Sequence, residues 1–159
     1  MKIKVKKTQT GGILPVKILN EDAGWDLTAA TVDFDFKEGI IEYGTGIAIE
    51  VPVGYIGIVA PRSGITNKAL MLKNSIGIID PGYTGEIKIR MQKTKDNIQS
   101  PDEFYAKGDR VAQFFIIKNE NIEFEEVTTF LTTTQRGEKG FGSSDTSWKP
   151  NTRTHTSRT

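Results

Sequence analysis

Apolar and polar residues alternate along much of this chain with a period of two. In IKVKK, near the N-terminus, Ile3 and Val5 fall on one face and lysines on the other. This period is typical of half-buried β-strands. It recurs in four further segments, GIAIEV (46–51), YIGIVA (55–60), EIKIRMQ (86–92) and NIEFEEV (121–127). A fifth segment, RVAQFFII (110–117), is almost continuously apolar, which predicts a strand buried on both faces.

Turn-forming residues separate these segments at short intervals. Only SGITNKALMLK (63–73) has a pattern that a short helix could adopt. The pattern therefore predicts an all-β barrel or sandwich of many short strands. The 159 residues are enough for one domain with a substantial core.

The composition changes toward the C-terminus. The last segment, TSWKPNTRTHTSRT (146–159), is basic, rich in Ser and Thr and nearly devoid of apolar residues, which predicts a disordered tail. The segment before it, TQRGEKGFGSSD (134–145), is glycine-rich but contains one aromatic residue, Phe141, that a plain linker does not need. We therefore predict a β-domain over 1–133, a distinct segment over 134–145 and a tail from 146.

Charge and composition exclude several classes of function. A net charge of +1 argues against a strongly electrostatic nucleic-acid binder. The chain has no cysteine, and its one histidine, His155, lies in the tail. Thiolate or histidine metal sites and histidine-based catalysis are thus not expected, so a general base must be a carboxylate. No segment approaches the roughly 20 apolar residues of a membrane span, and the N-terminus lacks the apolar core of a signal peptide, so we expect a soluble cytoplasmic protein.

An acidic residue stands at an unexpected place in IIDPGYTGEIKI (78–89). Asp80 follows two isoleucines and precedes Pro81 and Gly82. Asp, Pro and Gly suit the first three positions of a β-turn, so turn formation alone could explain this order. The turn could also present Asp80 and Tyr83 to a ligand.

Five segments carry candidate chemistry. In PRSGIT (61–66), an arginine, a hydroxyl and backbone amides near a glycine suit phosphate oxygens. In RGEKGFGSS (136–144), an arginine and two hydroxyls flank an aromatic ring, which suits a nucleotide. The other three segments are AGWDLTA (23–29), NSIGIIDPGYTGEIKI (74–89) and KGDRVAQFFI (107–116).

Together and in this order, the five segments resemble the motifs of the trimeric dUTPase (deoxyuridine triphosphatase) family, from about Ala23 to Ser144. The resemblance implies a jelly-roll-like β-fold and the hydrolysis of dUTP to dUMP and diphosphate, with Mg²⁺ on the triphosphate. That reaction removes dUTP and supplies dUMP for dTMP synthesis. The resemblance also implies a homotrimer whose active sites are shared between subunits.

The third motif supplies the residues expected around the nucleoside. Asp80 matches the general base that deprotonates the water attacking the α-phosphorus. Tyr83 matches the aromatic residue beneath the deoxyribose, where it would exclude a 2′-hydroxyl. The remaining matches are Asn74 beside the base and the backbone that contacts the uracil edge, at Gly77, Ile78 and Ile79.

The second and fourth motifs supply the residues expected around the phosphates. Arg62, Ser63 and Gly64 match the phosphate loop, and Gln113 matches a further phosphate contact. The resemblance suggests one more contact from Lys88.

The first motif supplies an acid with two possible roles. Asp26 matches the residue that the family uses near the Mg²⁺ hydration shell, through water. A structural ion pair with Arg110 is the alternative. The fifth motif is implied to close over the bound substrate as a flexible lid, with its ring on the uracil, and its matched residues are Arg136, Phe141, Gly142, Ser143 and Ser144.

Two other functions are considered. Deoxycytidine triphosphate deaminases, including bifunctional deaminase–triphosphatases, share this fold but carry a catalytic Glu ten residues after the aspartate, where this chain has Arg90. A regulatory protein-binding module on the same fold is the alternative of another class. The basic tail could also contact nucleic acid weakly, although a solvated extension is favoured.

Overall fold

The computed structural model describes residues 1–35, 37–95, 100–132, 134 and 136–139. Within these ranges the chain forms ten β-strands, two short 3-10 helices and no α-helix. The strands are β1 (Lys4–Lys7), β2 (Trp25–Thr28), β3 (Thr31–Asp35), β4 (Ile40–Gly44), β5 (Ile47–Glu50), β6 (Tyr55–Ala60), β7 (Leu70–Leu72), β8 (Gly77–Ile79), β9 (Lys88–Lys93) and β10 (Arg110–Lys118). The 3-10 helices span Ser63–Asn67 and Pro101–Glu103. The all-β prediction is therefore confirmed.

The strands of the described residues pair antiparallel in three sheets. Two sheets have four strands, in the orders β2-β10-β6-β8 and β3-β4-β9-β7, and β1 pairs with β5 in a two-stranded sheet. One continuous core contains the buried apolar side chains of these strands, including Leu27, Ile41, Tyr43, Met91 and Val111.

The alternation of apolar and polar residues predicted the bounds of several strands to within two residues. The strand β6 has the predicted bounds, and β5, β9 and β10 lie within two residues of theirs. In β9, Ile89 and Met91 are buried whereas Lys88 and Arg90 are exposed. The outward face of β9 can therefore carry polar side chains while its inward face packs in the core.

The helix predicted over 63–73 is wrong in its second half. A 3-10 helix ends at Asn67, and β7 then pairs with β9. Leu70 and Leu72 are buried and Met71 between them is exposed, which is a two-residue alternation. The three residues were too few to distinguish this period from a helical one.

The strand predicted over 121–127 is also wrong, because the structure contains no strand there. The side chains of this segment are exposed, with Phe124 at 94% and Ile122 at 66% of full exposure. The expected burial of β10 on both faces holds only in its first half, since Ile117 is 48% exposed. In both segments, apolar side chains that were expected to be buried are exposed.

The chain divides into two compact units, Met1–Ile122 and Glu123–Thr159, and the ten strands of the described residues lie in the first. Residues 140–159, including Phe141 to Ser144 and the predicted tail, lie outside the described residues. None of the helices in the described ranges is long and apolar enough to cross a membrane.

Candidate functional site

The central strand β10 aligns residues from three of the predicted motifs. Gln113 is paired with Asp26 of β2 on one side and with Ala60 of β6 on the other. Arg62 follows two residues after Ala60, at the start of the 3-10 turn. The sheet therefore places the first, second and fourth motifs side by side.

The Asp26 carboxylate binds two arginines, Arg62 and Arg110. Its Oδ1 accepts a hydrogen bond from Arg62 Nε at 2.6 Å, and its Oδ2 accepts one from Arg110 Nη1 at 2.8 Å. Only 15% of the Asp26 side chain is exposed. The ion pair with Arg110 is thus present, and Arg62 is a second partner that the sequence did not reveal. Such charge-assisted bonds hold the Arg62 guanidinium in a fixed direction.

Gln113 is fixed against the same loop. Its Nε2 donates a hydrogen bond to the Pro61 carbonyl oxygen at 2.8 Å. A methyl group on Gly24 would lie 2.9 Å from Gln113 Oε1 and from the Phe115 ring, so only glycine leaves room for this arrangement. Gly24 is a supporting residue that the sequence analysis did not single out.

The loop that follows Arg62 is open to solvent. Ser63 is exposed, and a methyl group on Gly64 would have no neighbour within 4 Å. Thr66 Oγ1 donates a hydrogen bond to the Ser63 carbonyl at 2.8 Å, which closes the turn behind the loop. Space beside Gly64 is therefore available to a ligand.

The turn around Asp80 has the predicted geometry. The Tyr83 N–H donates to the Asp80 carbonyl oxygen at 3.2 Å, and Gly82 has a φ of +85°. This is the positive φ that the third position of such a turn requires. The Asp80 side chain is exposed at the end of β8.

The Tyr83 ring is held by its neighbours along the chain. Its hydroxyl donates to the Glu86 carbonyl oxygen at 3.0 Å. A methyl group on Gly85 would lie 2.5 Å from that hydroxyl, so the ring needs glycine there. The Glu86 carboxylate in turn accepts the Gly46 N–H at 2.7 Å, which anchors this segment beside β5. Gly85 and Glu86 are further supports that sequence reasoning missed.

Two adjoining pockets surround this turn. One, of about 470 Å³, has Asp80 and Tyr83 in its wall. The other, of about 250 Å³, has Asn74 and Gly77 in its wall. Five residues of the β8–β9 region line both pockets, namely Ile78, Ile79, Ile87, Lys88 and Arg90. The structure thus brings all the predicted third-motif residues together on one surface.

A partly buried acid pairs with the cations of this surface. Glu42 Oε1 accepts from Lys88 Nζ at 2.6 Å, and Glu42 Oε2 accepts from Arg90 Nε at 2.8 Å. The hydrogen bond from Lys88, together with that from Arg90, lowers the pKa of Glu42, and the same contact raises the pKa of Lys88. Lys88, which was expected at a phosphate, is therefore paired with an acid that the sequence analysis had not identified.

The pairing of β6 with β8 separates the two groups of residues. Gly77 lies opposite Val59 and Ile79 opposite Gly57, so Asp80 continues toward Ile56 while Arg62 lies beyond Ala60. The six residue-to-residue steps of extended chain from 56 to 62 span roughly 20 Å. One chain therefore holds its phosphate loop and its candidate base at opposite ends of this strand pair.

Arg136 lies in the second compact unit, where it is exposed and donates from Nε to the Lys139 carbonyl oxygen at 3.3 Å. The other predicted residues of the fifth motif fall outside the described residues. This motif therefore stays a prediction.

A dUTPase family model matches residues 12–145 of the chain. The chain belongs to the dUTPase family. It is 37% identical over 148 residues to a deoxyuridine 5′-triphosphate nucleotidohydrolase of Solibacter usitatus, with 91% of this chain and 96% of the relative covered. The corresponding protein of Corynebacterium glutamicum is 40% identical over 145 residues, with coverages of 89% and 93%.

The fold is also that of solved dUTPases. The dUTPase of Staphylococcus bacteriophage 80alpha, as a point mutant with dUpNHpp, matches with a TM-score of 0.75 at 25% identity, and 90% of this chain and 98% of that chain are covered. A mutant dUTPase of phage phi11 of S. aureus, described with a structural Mg(II) ion, matches with a TM-score of 0.67 at 22% identity, with coverages of 82% and 99%. The predicted jelly-roll-like dUTPase fold is confirmed.

Proposed function

We propose that this dUTPase-family chain hydrolyses dUTP to dUMP and diphosphate by attack of water on the α-phosphorus. The observation that carries the proposal is the surface around β8. It joins a pocket edged by Asn74 and Gly77 to one edged by an exposed carboxylate, Asp80, and an aromatic ring, Tyr83. A base, a sugar and a phosphorus atom can occupy neighbouring positions along this surface.

The smaller pocket suits a pyrimidine. Gly77 lies in a strand whose backbone offers fixed donors and acceptors, and Asn74 adds an amide at the pocket wall. A fixed backbone rejects a base with exchanged donors and acceptors, because the mismatch leaves buried polar groups unpaired. Uracil is therefore preferred over cytosine.

The larger pocket suits the sugar and the α-phosphate. The Tyr83 ring lines this pocket and is held through its hydroxyl, so it would form a flat wall beneath the deoxyribose and exclude a 2′-hydroxyl. Asp80, on the turn before it, orients and deprotonates the attacking water. A positioned general base of this kind typically contributes about 10²–10⁴-fold in rate.

The row of Arg62, Ser63 and Gln113 suits the phosphate chain. The Asp26 carboxylate fixes the Arg62 guanidinium, and the open space beside Gly64 gives the phosphates access to the loop. Neutralising and orienting phosphate oxygens is the main requirement of phosphoryl transfer.

The residues around the phosphate loop suit a Mg²⁺ ion that arrives bound to the substrate. Among the described residues no cluster of three acidic or histidine side chains is present to hold a metal. Asp26 is a single carboxylate with lone pairs left for a metal-bound water, and Mg²⁺ commonly keeps several waters beside substrate phosphates. When bound, the ion would neutralise charge that develops on the triphosphate.

The proposed site needs more than one copy of the chain. The phosphate loop and Asp80 lie roughly 20 Å apart along β6, farther than one substrate's reacting atoms can bridge. A homotrimer in which neighbouring copies face each other with these two groups would bring both onto one substrate.

The deaminase alternative is disfavoured by Arg90. This residue lines both pockets and is paired with Glu42, so the position holds a cation rather than a proton-carrying acid. A guanidinium does not exchange protons in the catalytic pH range. Ammonia release from dCTP would revive this alternative.

The test is diphosphate release, with Mg²⁺, from dUTP, UTP, dCTP and dTTP in parallel. We expect fast release from dUTP and little from the others. Release from none of the four would contradict the proposal and favour a regulatory binding role for this fold. Equal release from dUTP and UTP would show that Tyr83 does not exclude a 2′-hydroxyl.

A further inference from the structure

The connection between β7 and β8 contains a strained residue. Ser75 has a φ of +61° and is the one non-glycine residue with positive φ in the part of the chain that the structure describes. Side chains with a Cβ rarely adopt this conformation, and when they do the strain commonly coincides with a binding or active site.

Two hydrogen bonds define the turn around Ser75. Its N–H donates to the Leu72 carbonyl oxygen at 3.1 Å, and the Ile76 N–H donates to the Asn74 carbonyl oxygen at 2.6 Å. The second bond closes a three-residue turn centred on Ser75. Such a turn with positive φ at its centre is the rare and strained form.

The connection has little freedom because it joins two different sheets. The strand β7 is paired with β9, whereas β8 is paired with β6. Only residues 73–76 separate Leu72 from Gly77, and the Lys73 N–H is already held by the Arg90 carbonyl at 2.9 Å. The chain must therefore reverse direction sharply within residues 74–76.

This reversal returns Asn74 to the start of β8. A methyl group on Gly77 would lie 3.7 Å from Asn74 Nδ2 and 3.2 Å from Val59 Cβ, so the amide rests close over a glycine. Both residues line the smaller pocket. An ordinary φ at Ser75 would swing Asn74 away from Gly77.

We infer that Ser75 is a positioning residue, whose left-handed backbone holds the Asn74 amide against the base pocket. This inference rests on the proposed function of that pocket. Its consequence is that base discrimination depends on the backbone conformation at position 75 and not on the serine hydroxyl.

Paired substitutions separate conformation from the hydroxyl. Ser75→Gly removes the hydroxyl and permits positive φ, whereas Ser75→Thr keeps a hydroxyl and disfavours positive φ. We expect Ser75→Gly to keep kcat/KM for dUTP within about twofold of wild type, because glycine adopts this φ freely. We expect Ser75→Thr to lose about tenfold or more, mainly through KM, because a small displacement of a positioning group is costly.

The decisive readout is the ratio of kcat/KM for dUTP to that for dCTP. It should fall in Ser75→Thr and stay unchanged in Ser75→Gly. A fall in both variants would assign the effect to the hydroxyl, and an unchanged ratio in Ser75→Thr would remove the positioning role. If Ser75→Thr does not fold, Ser75→Asn and Ser75→Ala repeat the comparison, since Asn tolerates positive φ better than Ala.

Wild-type enzyme in the same assay keeps the two proposals apart. Absence of diphosphate release from dUTP by wild type would contradict the proposed function itself. Normal release by wild type, with the same dUTP-to-dCTP ratio of kcat/KM in Ser75→Gly and Ser75→Thr, would contradict only the positioning role.

Discussion

The ion pairs of Asp26 give a prediction that separates its two possible roles. Asp26→Asn removes the negative charge that lies between Arg62 and Arg110 while nearly preserving side-chain volume. The asparagine can accept one hydrogen bond through its oxygen, but its amide nitrogen then faces a guanidinium donor. The variant thus breaks at least one charge-assisted bond and leaves two cations close together.

The size of the effect follows from burial. Exposed ion pairs contribute about 0.2–1 kcal/mol, and breaking a fully buried pair costs about 3–5 kcal/mol. Asp26 is 15% exposed, Arg62 26% and Arg110 40%, which places the pairs between these limits. We therefore expect Asp26→Asn to lower the free energy of unfolding by about 2 kcal/mol. Arg110→Met, which breaks the more exposed pair, should cost about 1 kcal/mol.

These changes in the free energy of unfolding can be measured by urea unfolding. Wild type, both single variants and the double variant are compared without Mg²⁺ and at one protein concentration. A change of about 2 kcal/mol corresponds to a midpoint shift of about 1 M urea. The cycle should give a coupling of about 1 kcal/mol between Asp26 and Arg110, because they are in direct contact. An unchanged midpoint for Asp26→Asn, with altered Mg²⁺ dependence of turnover, would refute the structural role and leave the role at the metal.

The remaining predictions concern the pocket and the tail. Asp80→Asn should keep dUTP binding and lower kcat by about 10²-fold or more; near-normal kcat in single-turnover assays would remove Asp80 from the base role. Glu42→Gln should destabilise the fold at neutral pH by breaking the bonds to Lys88 and Arg90. Because these bonds hold the pKa of Glu42 below its ordinary value of 4.5, the wild-type advantage is present above that pH and is lost as the pH falls further. A difference independent of pH in thermal unfolding would contradict this origin. Removal of residues 146–159 should leave kcat/KM for dUTP unchanged, and a large loss would show that the tail contributes to turnover.

Local chemistry was predictable where a short pattern determines the structure. The order Asp-Pro-Gly predicted the turn at Asp80, and the alternation of apolar and polar residues predicted the bounds of β6. The pairing of Asp26 with Arg110 was one of two options considered, whereas the contact with Arg62 was missed. That contact depends on how β2, β10 and β6 align, and registers between distant strands are not encoded in any single segment.

The errors have physical causes as well. The segment 121–127 alternates like a strand but has no strand partner within the described chain, so alternation alone could not make it one. Glu42 was overlooked because its role arises only when β4 pairs with β9 and places it opposite Arg90. The strained φ of Ser75 was equally invisible, since serine is not a residue that demands positive φ.

A mixing experiment tests most directly the claim that Asp80 of one copy and Arg62 of another act on the same dUTP. Asp80→Asn and Arg62→Met should each be nearly inactive alone. Co-expressed at equal levels, they should recover about a quarter of wild-type activity, because random assembly gives each shared site both intact residues in that fraction of cases. No recovery in mixed assemblies of confirmed composition would mean that each site is built from a single chain, and would contradict the account.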